Sequence, residues 1–427
     1  MKAVIAFVAA VCAAQTGPPA DESRLPEVRA RMDQALKSLP DYLCLETTER
    51  LRASHAGAHP DALDTVVLEV AHVGGKEMYS WPGRHMFAAT DLAKALPGGL
   101  VGTGAYAAQM SGILLGQTTQ FRFAGRESLG PRAVLRWDFT QAKDDSSWVV
   151  ATGERSAQVG SEGSIWADAE TDLLVRLQAR ATELPARFPI LSVARTIEYA
   201  LVRIGARDVL LPSAVEDLVG EVGGALHINR SRFGACREYF ATSELTFGEA
   251  PAKPVAAHPA ALPAALPPNV PIRLALDAHL RSAGAVIGAP VNAHVMVDVR
   301  RDGTVFAPKG TPVLGVLRQL TKTNGTFVVM IEFSDLVLPG GTVPFRARLQ
   351  SVDAAVSGLE WLVPGKGDLM RPMHYSDVYF LDDVARSRPV KLDPVPGVGV
   401  LIITGELFDL TPGTPMTWVT WDDTRKP

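Results

Sequence analysis

The chain has 427 residues, 47% of them hydrophobic and 21% charged, with a formal net charge of -4. That is enough apolar material for two domains with full cores. Lys and Arg form no run longer than two residues and are not interleaved with aromatics, which excludes DNA and RNA as expected partners.

The first stretch, "MKAVIAFVAAVCAAQTGPPADE", places one Lys before an apolar run from Ala3 to Val11, followed by Cys12, Ala13 and Ala14. This is the grammar of a secretory signal peptide over residues 1–14, cleaved after Ala14. Lipidation of Cys12 is the competing reading, and the bulk of Val11 disfavours it. The apolar run is far short of the about 20 residues that span a bilayer, and no later segment reaches that length. No transmembrane segment is therefore expected once the signal is removed.

Next, "ESRLPEVRARMDQALKSLP" sets Leu25, Val28, Met32, Ala35 and Leu39 on one helical face. Strand-like runs follow in "DYLCLETTERL", "DTVVLEVAHV" and "GGKEMYSWPG". "GLVGTGAYAAQMSGILLG" reads as an apolar helix laid over a sheet, too glycine-broken for a membrane span. Further strands run to "GACREYFATSELTF". "TIEYALVRIG" alternates as a half-exposed antiparallel strand should, and "GSIWADAETDLLVRLQAR" reads as a hairpin turning at Asp168 to Asp172.

Two cysteines remain after the signal, Cys44 and Cys236, each in a strand-like stretch at one end of this domain. In an exported chain the even count favours a bridge joining the first and last strands of one sheet; two buried free thiols are the alternative.

One helix, long antiparallel strands, a mid-domain apolar helix and the run "LLVRLQAR … TIEYALVRIG … DVLLPS" resemble the LolA/LolB-like half-barrel of periplasmic lipoprotein-sorting carriers. An envelope-stress regulator that binds cell-surface lipid shares that half-barrel. The resemblance covers about residues 22 to 248. It implies a curved sheet around an apolar cavity, and an exported protein of the periplasm or cell envelope of a Gram-negative-type bacterium. Its implied partners are a lipid or lipoprotein acyl chain and an envelope protein.

Residues 249–271, "EAPAKPVAAHPAALPAALPPNVP", are dominated by Pro and Ala and read as an extended spacer at about 3 Å per residue. Beyond it, "IRLALDAHL", "GAVIGAPVNAHVMVDV", "TVFAPKGTPVLGVL" and "FVVMIEFSDLVLPGGTVPF" follow in order. That series is similar to the C-terminal β-barrel of secretion core proteins of the TrbI/VirB10 kind. A Pro-Gly-Thr pattern recurs at Pro308 to Thr311, Pro339 to Thr342 and Pro412 to Thr414. Proline presets φ at the first corner, glycine takes the positive φ of the next, and threonine restarts a strand, so three hairpin-like reversals are expected.

The fold expected is mainly β: an α+β N-terminal domain over residues 15–248 built as an antiparallel half-barrel with packed helices, the linker at 249–271, and a small all-β barrel or sandwich over 272–427. A ligand lining is expected from Met78, Trp81, Phe87, Tyr106, Met110, Ile113 and Leu114, a Met-containing apolar set; a packed core is the plainer role for each. Metal-ligand spacing, a nucleophile elbow and a P-loop are missing from the sequence, so no metal, cofactor or enzymatic activity is expected. His374, Asp377, Asp382 and Asp383 are the best oxygen-ligand set, but match no known loop. Asp144-Asp145 and Asp422-Asp423 read as turn residues, and Glu69 and Glu77 face either a cavity or solvent. Two functional classes remain: a non-catalytic carrier or sensor that binds an apolar ligand and docks on a partner through its C-terminal β-domain, or a structural component of an envelope or secretion complex without a small-molecule ligand.

Overall fold

The computed structural model describes residues 21–74, 76–83, 106–152, 155–239, 266–323, 325–354, 356–362 and 397–420. The expected signal peptide and most of the expected linker lie outside them, as do His374, Asp377, Asp382, Asp383 and Asp422-Asp423.

A single turn of 3-10 helix at Asp21–Arg24 leads into helix α1 (Leu25–Lys37). Pro26 sits in the first turn, where its missing N–H costs nothing, and Lys37 pairs with Asp33 one turn back at 2.6 Å. Val28 and Met32, spaced i and i+4, are fully buried, as the helical face predicts.

Strands β1 (Tyr42–Ala53), β2 (Asp61–Val73) and β3 (Lys76–Ser80) form a meander. Helix α2 (Tyr106–Leu114) follows, then β4 (Gln120–Leu129), β5 (Arg132–Gln141) and the small hairpin of β6 (Val149–Thr152) and β7 (Arg155–Gln158). β8 (Gly160–Asp168), β9 (Leu174–Thr182), β10 (Ile190–Ile204), β11 (Arg207–Glu221) and β12 (Leu226–Glu238) complete the unit. Ten of these strands form one antiparallel sheet in the order β3-β2-β1-β12-β11-β10-β9-β8-β5-β4. The chain thus returns so that β12 pairs with β1 along its length, and the Cys44–Cys236 disulfide joins those two neighbours across 192 residues of sequence. The β8–β9 turn falls at the expected Asp168 to Asp172. The Asp168 carboxylate accepts the N–H groups of Glu170 and Thr171, and Asp172 takes φ +58°.

The second unit is built only of strands among its described residues. They are β13 (Pro271–Leu276), β14 (Leu280–Arg281), β15 (Ala293–Val295), β16 (Val299–Arg301), β17 (Thr304–Ala307), β18 (Pro312–Thr323), β19 (Thr326–Leu338), β20 (Gly341–Pro344), β21 (Ala347–Val352), β22 (Leu359–Leu362), β23 (Val398–Thr404), β24 (Asp409–Leu410) and β25 (Pro415–Thr420). The main sheet runs β21-β25-β13-β15-β18-β19-β23-β22, with β20 on β19. Gly397, just before β23, closes the ring: its N–H donates to Ala347 on β21, and its carbonyl accepts from Phe333 on β19. The interior is filled around Trp418, whose ring meets Phe333 and Phe345 edge-on at 5.4 and 5.5 Å.

All three Pro-Gly-Thr turns occur, with Gly310, Gly340 and Gly413 at positive φ. Only Pro339 to Thr342 is a hairpin, joining β19 to its partner β20. The other two are corners: β17 pairs with β16 and β24 with β14, so the chain changes partner at Pro308 and Pro412. Pro312 and Pro415 open the strands that follow, the position where a missing N–H is tolerated.

The two units touch. Beyond the point where β3 stops, the β2 edge is taken by Ile287, whose N–H donates to Thr65 and whose carbonyl accepts from Val67, both at 2.8 Å. Trp81, Tyr79, Val66, Leu68 and Val70 pack with Ile287 and Val316, and the Arg318 guanidinium lies 5.1 Å over the Trp81 ring.

Candidate functional site

Alternation fixes which residues each strand turns to the inner face. On β10 these are Arg195, Ile197 and Tyr199; their register partners run through Asp217 and Val215 on β11 to Asn229 and Ser231 on β12, and then to Arg50 and Thr48 on β1. Glu77 on β3 and Arg195 and Tyr199 on β10 are five strand steps apart, about 24 Å across a flat sheet. Yet the Glu77 carboxyl feels the charge of Arg195 and acts on Tyr199. The sheet therefore curls until its two sides face each other, while its edge strands β3 and β4 stay unpaired with one another.

One half of the concave face is apolar. Trp137, Phe139, Ile165, Leu177 and Ile197 line it, and α1 and α2 close over it with Val28, Met32, Met110, Ile113 and Leu114. Three of the expected lining residues thus meet there: Met110, Ile113 and Leu114 are 4%, 2% and 0% exposed and fill the space beneath α2. Trp81 goes instead to the contact between the two units. Met78 pairs with Ala71 on the opposite side of β3 from Glu77 and Tyr79. Tyr106 begins α2, its side chain lies outside the described residues, and so does Phe87 altogether.

The other half is polar and largely buried. The Arg50 guanidinium donates from Nε and Nη2 to Asp64, and Thr48 and Ser231 share a 2.7 Å hydrogen bond across β1 and β12. Arg195 is gripped by both oxygens of Asp217, at 2.5 and 3.1 Å, and its Nη1 donates to the Gln109 side-chain oxygen of α2 at 3.1 Å. Tyr79 donates its hydroxyl to Glu77 at 3.3 Å.

Burial pushes the Glu77 carboxyl up to about 8; the nearby Glu46 carboxylate adds to the rise, while Tyr79 and Arg195 oppose it. Burial likewise raises Tyr42, Tyr79 and Tyr199 well above the ordinary phenol value, and it lowers His72, which stacks on Tyr42 at 5.2 Å. Glu69 lies on the far face, with its carboxylate 3.4 Å from Arg237. Asp144 and Asp145 occupy an exposed 3-10 turn and approach none of these groups. Among the described residues no group of three His, Cys, Asp or Glu side chains converges for a metal.

Arg195, Tyr199 and Gln109 were not singled out by sequence. The signal was present in "SVARTIEYAL": alternation sets Arg195 on the same side as Ile197 and Tyr199, a charge on an otherwise apolar face.

A curled, open antiparallel sheet roofed by two helices defines the class of fold. No protein-family model matches the chain, and no curated protein matches its sequence. Solved structures resemble it, two of them as follows. A LolA-superfamily protein of Nitrosomonas europaea is 10% identical, with 51% of this chain and 94% of that one covered and a TM-score of 0.26. A DUF1329-family protein of Desulfovibrio piger is 13% identical, with 52% and 95% covered and a TM-score of 0.28. Neither value is high enough to bear on function, which is read from the site's own geometry.

Proposed function

We propose that this is an exported, non-catalytic cell-envelope protein that binds an apolar or lipid-like ligand, such as an acyl chain, on the concave face of its N-terminal sheet. The carrying observation is that face: curled, apolar over one half, and roofed there by helices α1 and α2. The side chains of Met110, Ile113 and Leu114 fill the space beneath α2, so an acyl chain enters by taking the place of these side chains against Trp137, Ile165 and Leu177 while the helix stays in position. The C-terminal β-unit docks on an envelope partner. The Cys44–Cys236 disulfide supports export, because such bonds persist in oxidising compartments.

A second reading, a structural component of an envelope assembly without a ligand, is favoured by the same filled concave face. Native mass spectrometry of the protein purified from its own envelope separates the two. A retained lipid supports the carrier; a ligand-free multimer supports assembly and overturns the first reading.

A further inference from the structure

The Tyr199 hydroxyl and the Gln109 side-chain nitrogen are among the buried polar groups that lack a hydrogen-bond partner among the described residues. Their residues are 5% and 9% exposed. Arg195 settles which end of the Gln109 amide is which, since a guanidinium only donates and so must face the oxygen. The Gln109 N–H groups are thereby left as donors without an acceptor. A buried donor in that condition is costly, and native structures seldom keep one without a use.

Both groups stand at the boundary between the apolar and polar halves. Tyr199 belongs to the apolar cluster under α2 and also lies within the field of Glu77 and Arg195. Gln109 immediately precedes Met110, which packs beneath α2 in the apolar cluster. A ligand whose chain lay under α2 would bring its head to this boundary.

We propose that Tyr199 and Gln109 form a polar subsite that receives an acyl carbonyl oxygen, the ester or amide linkage of an acylated ligand. This rests on the reading of the concave face as an acyl-chain site and extends it to the head of the ligand. The chemistry selects a neutral acceptor. Asp217 already neutralises Arg195, so no uncompensated positive charge is left there to hold an anion. A free fatty acid therefore fits less well than its ester or amide. Glu77, protonated at neutral pH, adds no opposing charge.

The test is displacement of a fluorescent fatty-acid probe from the full mature chain by four matched ligands. These are monopalmitoylglycerol, its hexadecyl ether analogue without the carbonyl, N-palmitoylglycinamide and palmitate. Ester or amide is expected to bind roughly five- to tenfold more tightly than the ether, the worth of one neutral hydrogen bond, and palmitate no better than the ether. Whichever of ester and amide binds better identifies the linkage. Tyr199→Phe and Gln109→Glu should each erase that preference; Gln109→Glu retains the oxygen that faces Arg195. Tyr199→Phe should also raise the unfolding midpoint of the ligand-free protein, since it deletes a hydroxyl that has nothing to bond. Equal binding of ester, amide and ether, or a lowered midpoint in Tyr199→Phe, overturns the subsite and leaves the acyl-chain reading standing. Failure of the probe and all four ligands to bind overturns both.

Discussion

Glu77 keeps its proton up to about pH 8 in the folded chain, against 4.5 as an ordinary carboxyl. Between those values the native state holds a proton that the unfolded state has released. Folding stability therefore falls as pH rises through that window, by at most about 1.4 kcal/mol per pH unit from this group. Glu77→Gln should flatten the slope and leave the protein more stable than wild type at pH 8, as read from denaturant titrations at pH 5 and pH 8. Equal slopes in both proteins would refute the assignment. Gly288 is a second residue whose identity is dictated by its surroundings: φ is +92°, and a Cβ there would lie 2.2 Å from the Val67 carbonyl and 3.1 Å from the Trp81 ring. Gly288→Ala should push Ile287 off the β2 edge, and hydrogen exchange at Val67 and Ile287 should speed up while the core of β18 and β19 stays protected.

At the scale of elements, β1 and β12 are held twice, by eleven register pairs and by the disulfide. Because the bridge closes a very long loop, replacing both cysteines by serine should cost about 2–4 kcal/mol, measured by chemical denaturation, without changing the sheet order. Helix α1 contributes chiefly through Val28 and Met32. Met32→Ala should cost about 2–5 kcal/mol, because Met32 is fully enclosed between the helix and β9 and leaves a cavity. These two elements were legible in the sequence because their signals are local: i, i+4 spacing for α1, and strand alternation with an even cysteine count for the bridge. The polar row from Asp64 to Arg195 was not, since five strands supply it and only the register brings its members together.

For the whole molecule, we propose that residues 15–248 and 272–427 are separate folding units joined by the Pro/Ala segment. Their contact is centred on Trp81, Ile287, Val316 and Arg318. Contacts of that kind couple units weakly. Trp81→Ala should therefore separate the thermal unfolding of the two units, seen by calorimetry as two transitions drawn further apart than in the wild type. A single cooperative transition retained in the variant would argue for one folding unit.

The sequence by itself determined the mainly β class, α1, the β8–β9 hairpin, the cysteine pair and the three glycine turns, because each depends on residues close together or on a simple period. Only the tertiary structure decided that two of those turns are corners, since strand partners are chosen across the whole sheet. The same holds for the concave face. Trp81 left the expected lining for the contact between units, while Tyr199 and Gln109 came to stand at the boundary between oil and charge. Side-chain alternation says which residues share a face; only curvature and register say what that face meets.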